Sequence, residues 1–140
     1  MGADQGGGLQ VFDVSDPLAP QMRNSVATSG TCQDILLEDE YVYVVDGEPG
    51  ILLFDASEPY EPVLVATIAD GAWANGAYVS GGRLFIADDQ GLYIYDVGNH
   101  AAPVLMGMYP TSAWAIGVVE SAGYAYICTY DQAVLVVDVS

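Results

Sequence analysis

The sequence predicts an all-β protein built from repeated four-stranded units, and three observations carry that prediction. The first is a period. GLQVFDVSDP, GILLFDASEP, GLYIYDVGNH and the closing AVLVVDVS align, setting Asp13, Asp55, Asp96 and Asp138 at intervals of 42, 41 and 42 residues. A fixed spacing in this range marks stacked supersecondary units. The second is the texture of the middle runs: YVYVVD, RLFIAD, ILLFD and LVVD are nearly continuous in apolar residues, as in strands covered on both faces. The third is punctuation. In one unit NGAYVS, RLFIAD, GLYIYDV and PVLMGMYP are divided by Ser80-Gly81-Gly82, Asp89-Gln90-Gly91 and Gly98-Asn99-His100, and no stretch sustains a helical period.

Four-stranded units with both faces buried are what β-propeller blades supply, each wedged between its neighbours. A sandwich would leave a polar side on every strand, and a parallel β-helix has shorter turns. Residues 1–7 (MGADQGG) are polar and Gly-rich, lack a signal-peptide pattern, and read as a flexible lead-in without a packed role. Residues 8–30 then supply the last two strands of a partial blade. Residues 31–72 and 73–113 are complete blades, and 114–140 supply three strands of another, about thirteen strands in all. The strands CQDILLE, ANGAYVS and AIGVVES are expected innermost, because Ala74, Gly76, Ala77, Ala115 and Gly117 suit a crowded axis. PVLVATIA and PVLMGMYP, after Pro62 and Pro103, are expected outermost. Propellers close with about four to eight blades, so this set is incomplete as a single chain. The expected partners are further copies, joined through unpaired edge strands as a ring or filament, or the remaining blades of a longer chain.

The units resemble LVIVD repeats, through VFDVSDP, LLFDASEP and LVVDVS; the third copy departs, with Gly98-Asn99-His100 where the others carry Ser-Asp-Pro and Ser-Glu-Pro. The resemblance spans the chain from Gly8 onward. It implies a propeller fold and an extracellular or cell-envelope setting, and it implies no defined activity.

Nineteen Asp and Glu face only Arg23 and Arg83, for a formal charge of −17. Phosphate recognition needs clustered Lys and Arg, so a nucleic-acid partner is excluded, and docking on an anionic membrane surface is disfavoured. No apolar run reaches the roughly 18 residues of a membrane-spanning helix. The acidity reads either as a solvated, salt-adapted surface or as binding of a divalent cation such as calcium. Candidates for the cation are Asp46, Glu48, Asp88, Asp89 and Asp131, in the loops after the second strands, although no dense D-x-D-x-D-G loop is present. Asp13, Asp55, Asp96 and Asp138 read as turn aspartates that accept backbone N–H bonds, with Ser15, Ser57 and Ser140 beside them.

Binding residues are sought where the repeat does not dictate the side chain. Thr31, Trp73 and Trp114 lie at matched positions before the inner strands, near Asp34 and Asn75, where propeller loops open onto one end of the central channel. They form a candidate site for a sugar or a peptide side chain; the alternative is that each Trp is a packing wedge between blades. The lone His100 reads as a surface turn residue. Cys32 and Cys128 read as buried free thiols outside any C-x-x-C motif. No catalytic set emerges. The expected function is a non-catalytic structural or protein-interaction module that self-associates. The alternatives are a carbohydrate- or peptide-binding domain and a fragment whose activity lies in missing blades.

Overall fold

Antiparallel pairing groups the strands of the computed structural model, which describes residues 2–4, 7–69, 72–131 and 133–140, into four sheets. The first contains β1 (Gly2–Asp4), β2 (Gly8–Asp13) and β3 (Gln21–Val26). The second contains β4 (Asp34–Glu38), β5 (Tyr41–Val45), β6 (Ile51–Asp55) and β7 (Val63–Ile68). The third contains β8 (Ala74–Ser80), β9 (Arg83–Asp88), β10 (Gly91–Asp96) and β11 (Val104–Pro110). The fourth contains β12 (Ala115–Ser121), β13 (Tyr124–Thr129) and β14 (Val134–Asp138). Each sheet is a meander in chain order, and no helix occurs among the described residues. The inner strands β4, β8 and β12 lie side by side, so the sheets stack as successive blades.

One sequence expectation needs correction. Residues 1–7 are not wholly a slack lead-in: Gly2–Asp4 form β1 and pair with Gly8, Leu9 and Gln10 of β2. Residues 1, 5 and 6 of that segment lie outside the described residues. The register explains the strand. Gly2↔Gln10 is Val44↔Leu52 moved back by one 42-residue period, so β1 continues the second-strand position into the first blade. The described strands therefore number fourteen rather than about thirteen.

The core is not a single interior but three layers between sheets. Leu9 of the first blade meets Val42, Val44, Leu52 and Phe54 of the second. Tyr43, Val45, Ile51 and Leu53, which alternate with those residues along β5 and β6, turn to the third blade and meet Ala77, Leu84, Ile86 and Tyr93. Phe85, Ala87 and Leu92 of the third blade meet Ala115, Val118, Ala125 and Ile127 of the fourth. Period-two alternation thus sends one half of each middle strand to the preceding blade and the other half to the following one. That is why these strands read as unbroken apolar runs. The tyrosine pairs follow the same rule: Tyr41 and Tyr43 face forward across the second interface, and Tyr93 and Tyr95 face back into it.

Gly8, Gly50 and Gly91 open the third strand of the first three blades, with φ of +76°, +90° and +144°. A Cβ there would stand 2.1, 2.0 and 2.2 Å from the carbonyl oxygens of Val26, Ile68 and Tyr109, which belong to the outermost strands or their ends. Only glycine permits that approach. The fourth copy has Ala133 at this position, and among the described residues β14 carries no outer strand.

The stack is open at both ends. Tyr124, Tyr126, Val134 and Val136 occupy, on the fourth blade, the forward-facing positions held by Arg83, Phe85, Leu92 and Ile94 on the third, and all four are exposed. At the other end Phe12 and its cross-strand partner Met22 are exposed. Equivalent positions therefore predict unequal costs. Phe85 is 0% exposed and Tyr126 40%. Phe85→Ala should destabilise the chain by about 3–5 kcal/mol. Tyr126→Ala in dilute monomer should cost less than about 1 kcal/mol. Denaturant unfolding of the two variants checks the contrast.

Candidate functional site

The repeated aspartates act within their own turns. Asp13, Asp55, Asp96 and Asp138 each accept, through Oδ1, the N–H of the residue two positions on: Ser15 at 3.0 Å, Ser57 at 2.9 Å, Gly98 at 2.8 Å and Ser140 at 3.0 Å. Asp13 Oδ2 also takes a bond from Arg23 Nη2 at 2.7 Å. Arg23 first, then the Ser15 amide, hold the Asp13 carboxyl well below the usual carboxylate range. The Ser57 amide lowers Asp55, and the Ser140 hydroxyl followed by its amide lowers Asp138. The next residue in three copies, Ala56, Val97 or Val139, donates its amide at 2.8 Å to a carbonyl of the hairpin between the first two strands. The shared Asp thereby fixes the exit from the third strand.

The residues proposed for a cation do not gather at one point, although Asp89 and Asp131 line a common cavity. Asp46 is fully buried; its Oδ1 accepts from Thr28 Oγ1 and its Oδ2 from the Gly30 amide, each at 2.9 Å, pinning the connection between the first two blades. Asp88 is also fully buried, and its Oδ1 accepts from the Gln90 and Gly91 amides at 2.7 and 2.9 Å. Glu48 and Asp131 are exposed, and Asp89 is half-buried. Among the described residues no three His, Cys, Asp or Glu side chains gather as a metal site.

The two tryptophans, matched in sequence, are placed differently. Trp73 lies against Gly47, where a Cβ would stand 2.9 Å from its Cε2 and Cζ2 atoms, and the Ala74 amide donates to the Gly47 carbonyl at 3.2 Å. Trp73 is therefore seated as a wedge between the second and third blades. One repeat later the residue after the buried aspartate is Asp89 instead of glycine. Its side chain accepts from Asn75 Nδ2 at 3.2 Å; Asn75 also bonds the Ala115 carbonyl at 3.0 Å. Trp114 turns instead toward Tyr130, with ring centroids 5.6 Å apart and planes at 51°. It is 55% exposed, against 37% for Trp73. Between Asp89, Thr111, Trp114, Tyr130 and Asp131 opens a cavity of about 410 Å³. Of the five residues expected at a ligand site, only Trp114 lines this cavity, with Asn75 holding one wall. Thr31 donates its amide to the Asp46 carbonyl at 3.1 Å, and Asp34 bonds the Ile35 amide at 2.9 Å, so both sit at the preceding blade. The cavity also takes Asp89 and Asp131, which the sequence assigns to a cation, and Tyr130, to which it assigns no role. The signal that could have found the wall was the exchange of Gly47 for Asp89.

Two further expectations change. His100 is not a free surface residue: its ring stacks on Tyr41 of the second blade, with centroids 3.5 Å apart and planes at 2°, and its Nε2 is buried. Cys128 is exposed and Cys32 half-buried, so the cysteines are not both core thiols; neither forms a disulfide.

The repeat geometry agrees with comparison to known families. The LVIVD repeat model matches residues 3–28, 29–70, 73–111 and 112–140. The chain belongs to the LVIVD repeat family. Among solved structures, this LVIVD chain is similar to the crystal structure of the computationally designed Ika4 protein, at a TM-score of 0.71 and 8% identity, over 86% of this chain and 74% of that one. That likeness concerns the fold alone. No curated protein matches the chain at a significant level.

Two outcomes follow from this geometry. Gly47→Ala, at φ +70° and against the Trp73 ring, should destabilise the chain by about 1–3 kcal/mol in thermal or denaturant unfolding. The depressed carboxyls stabilise the fold above the ordinary Asp range, and that contribution is lost as pH falls through their lowered values. The melting-temperature gap between the parent chain and Asp13→Ala should therefore hold steady near neutrality and narrow below about pH 4.

Proposed function

We propose that this LVIVD chain is a non-catalytic propeller module that works as a structural or interaction subunit. In this reading it self-associates by seating the bare forward face of its fourth blade on the bare rear face of the first blade of another copy. What supports this is one observation. The forward face presents Tyr124, Tyr126, Val134 and Val136 to solvent, whereas the equivalent faces of the second and third blades are covered by the next repeat. Contiguous apolar surface of this kind marks an interaction site, and within the chain its match is the rear face of a repeat. The first blade offers such a face: Phe12 and Met22 are exposed, and so is Val14, whose counterparts Ala56 and Val97 are buried.

The face is favoured over the edge as the surface of contact. In the other blades the outer strand passes over a glycine with positive φ, Gly8, Gly50 or Gly91, and Ala133 of β14 does not adopt that conformation. Head-to-tail contact of two different faces gives a ring if the rotation closes and a filament if it does not. An extracellular or cell-envelope setting, which LVIVD resemblance implies, belongs to the same proposal.

Sedimentation velocity across a range of concentrations tests it. Assemblies should grow with concentration. Tyr126→Glu combined with Val136→Glu should weaken association at least about 30-fold, as loss of central apolar anchors does, while circular dichroism stays unchanged. A folded, monodisperse monomer at every concentration would overturn self-association and leave further repeats of a longer chain as the cover for this face.

A further inference from the structure

The residue after the buried aspartate is covered by an indole at one interface and not at the next. At the second–third interface, Gly47 admits the Trp73 ring; at the third–fourth, Asp89 stands in place of the glycine and Trp114 lies against Tyr130. The resulting cavity of about 410 Å³ falls within the size range of small-molecule sites. Its walls are two aromatic rings in a tilted corner and two carboxylates, Asp89 and Asp131, with Thr111 between the blades. The carboxylates are held in place. Asp89 Oδ1 accepts from Asn75, and Asp131 Oδ1 is bonded by the Thr129 hydroxyl. Both partners are neutral donors. The chain's two cations are engaged elsewhere, Arg23 with Asp13 and Arg83 Nη1 with the Val139 carbonyl at 3.1 Å. The cavity thus concentrates negative charge beside exposed π-faces and contains no basic side chain to balance it.

We infer that this cavity binds an organic cation of about the size of a lysine side chain, its ammonium between Asp89 and Asp131 and its alkyl stem against Trp114 and Tyr130. Charge decides between this guest and a neutral sugar. A sugar would also stack on the rings, but it would exclude water from two carboxylates without neutralising either. An ammonium satisfies both walls at once, through cation–π attraction to the rings and charge-assisted hydrogen bonds to the acids. This inference does not depend on whether copies associate.

The test uses the full chain, labelled with ¹⁵N and titrated with Nα-acetyl-lysine methylamide, its Nε-acetylated counterpart and methyl glucoside. Saturable shifts are expected for residues 89, 111–114 and 130–131, with a dissociation constant on the order of millimolar for the lysine probe. The Nε-acetylated probe should bind about fivefold more weakly or worse, the equivalent of one cation–π contact. Asp89→Gly, which restores the glycine of the second–third interface, should cost a similar factor or more, and the same spectra report whether the variant is folded. Asp131→Asn provides a second, nearly isosteric variant with the same expectation. Equal binding of the neutral probe, preference for the glucoside, absence of a saturable shift with the lysine probe, or unchanged affinity in folded Asp89→Gly would each overturn the inference.

Discussion

Everything in this fold depends on the burial of both faces of the middle strands, and no single blade can achieve that alone. β5 and β6 send Val42, Val44, Leu52 and Phe54 backward and Tyr43, Val45, Ile51 and Leu53 forward, so a sheet buries both its faces only between two others. Fully burying one such side chain stabilises by about 1.5–3 kcal/mol. A blade with one bare face forgoes several of these contributions. The energetics are those of a one-dimensional stack, in which each unit contacts only its neighbours and the ends bear the cost. Exposed Tyr124, Tyr126 and Val136 at one end, and Phe12 and Met22 at the other, are that cost made visible.

Local chemistry keeps the wedges in register so that this packing can occur. The aspartate closing each third strand turns the chain outward by bonding the amide two residues on, a local bond that competes against continuation of the strand. The glycine opening the same strand lets an outer strand cross at a distance no side chain would allow. A bulge at Val11/Phe12, Leu53/Phe54 and Ile94/Tyr95 recurs between the third and fourth strands of the first three blades. The extra residue bends the outer strand in the same place each time. Much of the sequence periodicity is therefore geometric instruction.

The fold was legible because its signal is repeated: the spacing of Asp13, Asp55, Asp96 and Asp138 and the unbroken apolar runs both follow from blade packing. β1 was missed although Asp4-Gln5-Gly6-Gly7-Gly8 stands one period before Asp46-Gly47-Glu48-Pro49-Gly50, because a Gly-rich composition was read ahead of its position in the repeat. His100 was misplaced for a different reason. Its role depends on the second blade, whose Tyr41 ring it covers, and no local turn signal reports a neighbour across an interface. The candidate site was legible only in part. Matched positions suggest that Trp73 and Trp114 act together, whereas Trp73 lies over Gly47 and Trp114, opposite Asp89, lies against Tyr130.

That exchange carries the wider lesson of the molecule. Where the repeat is kept, as at Gly47 beneath Trp73, the residues fill space and the interface is closed. Where it is broken, at Asp89, the consequence is open surface in the form of a cavity. That break carries no steric penalty. Asp89 gains the Asn75 bond in place of an indole that, at the second–third interface, is itself 37% exposed. A stack of near-identical wedges can thus hold one atypical interface, because each interface is stabilised by its own two sheets. The third–fourth interface can give up the indole seat while Phe85, Leu92, Ala125 and Ile127 still hold the two blades together.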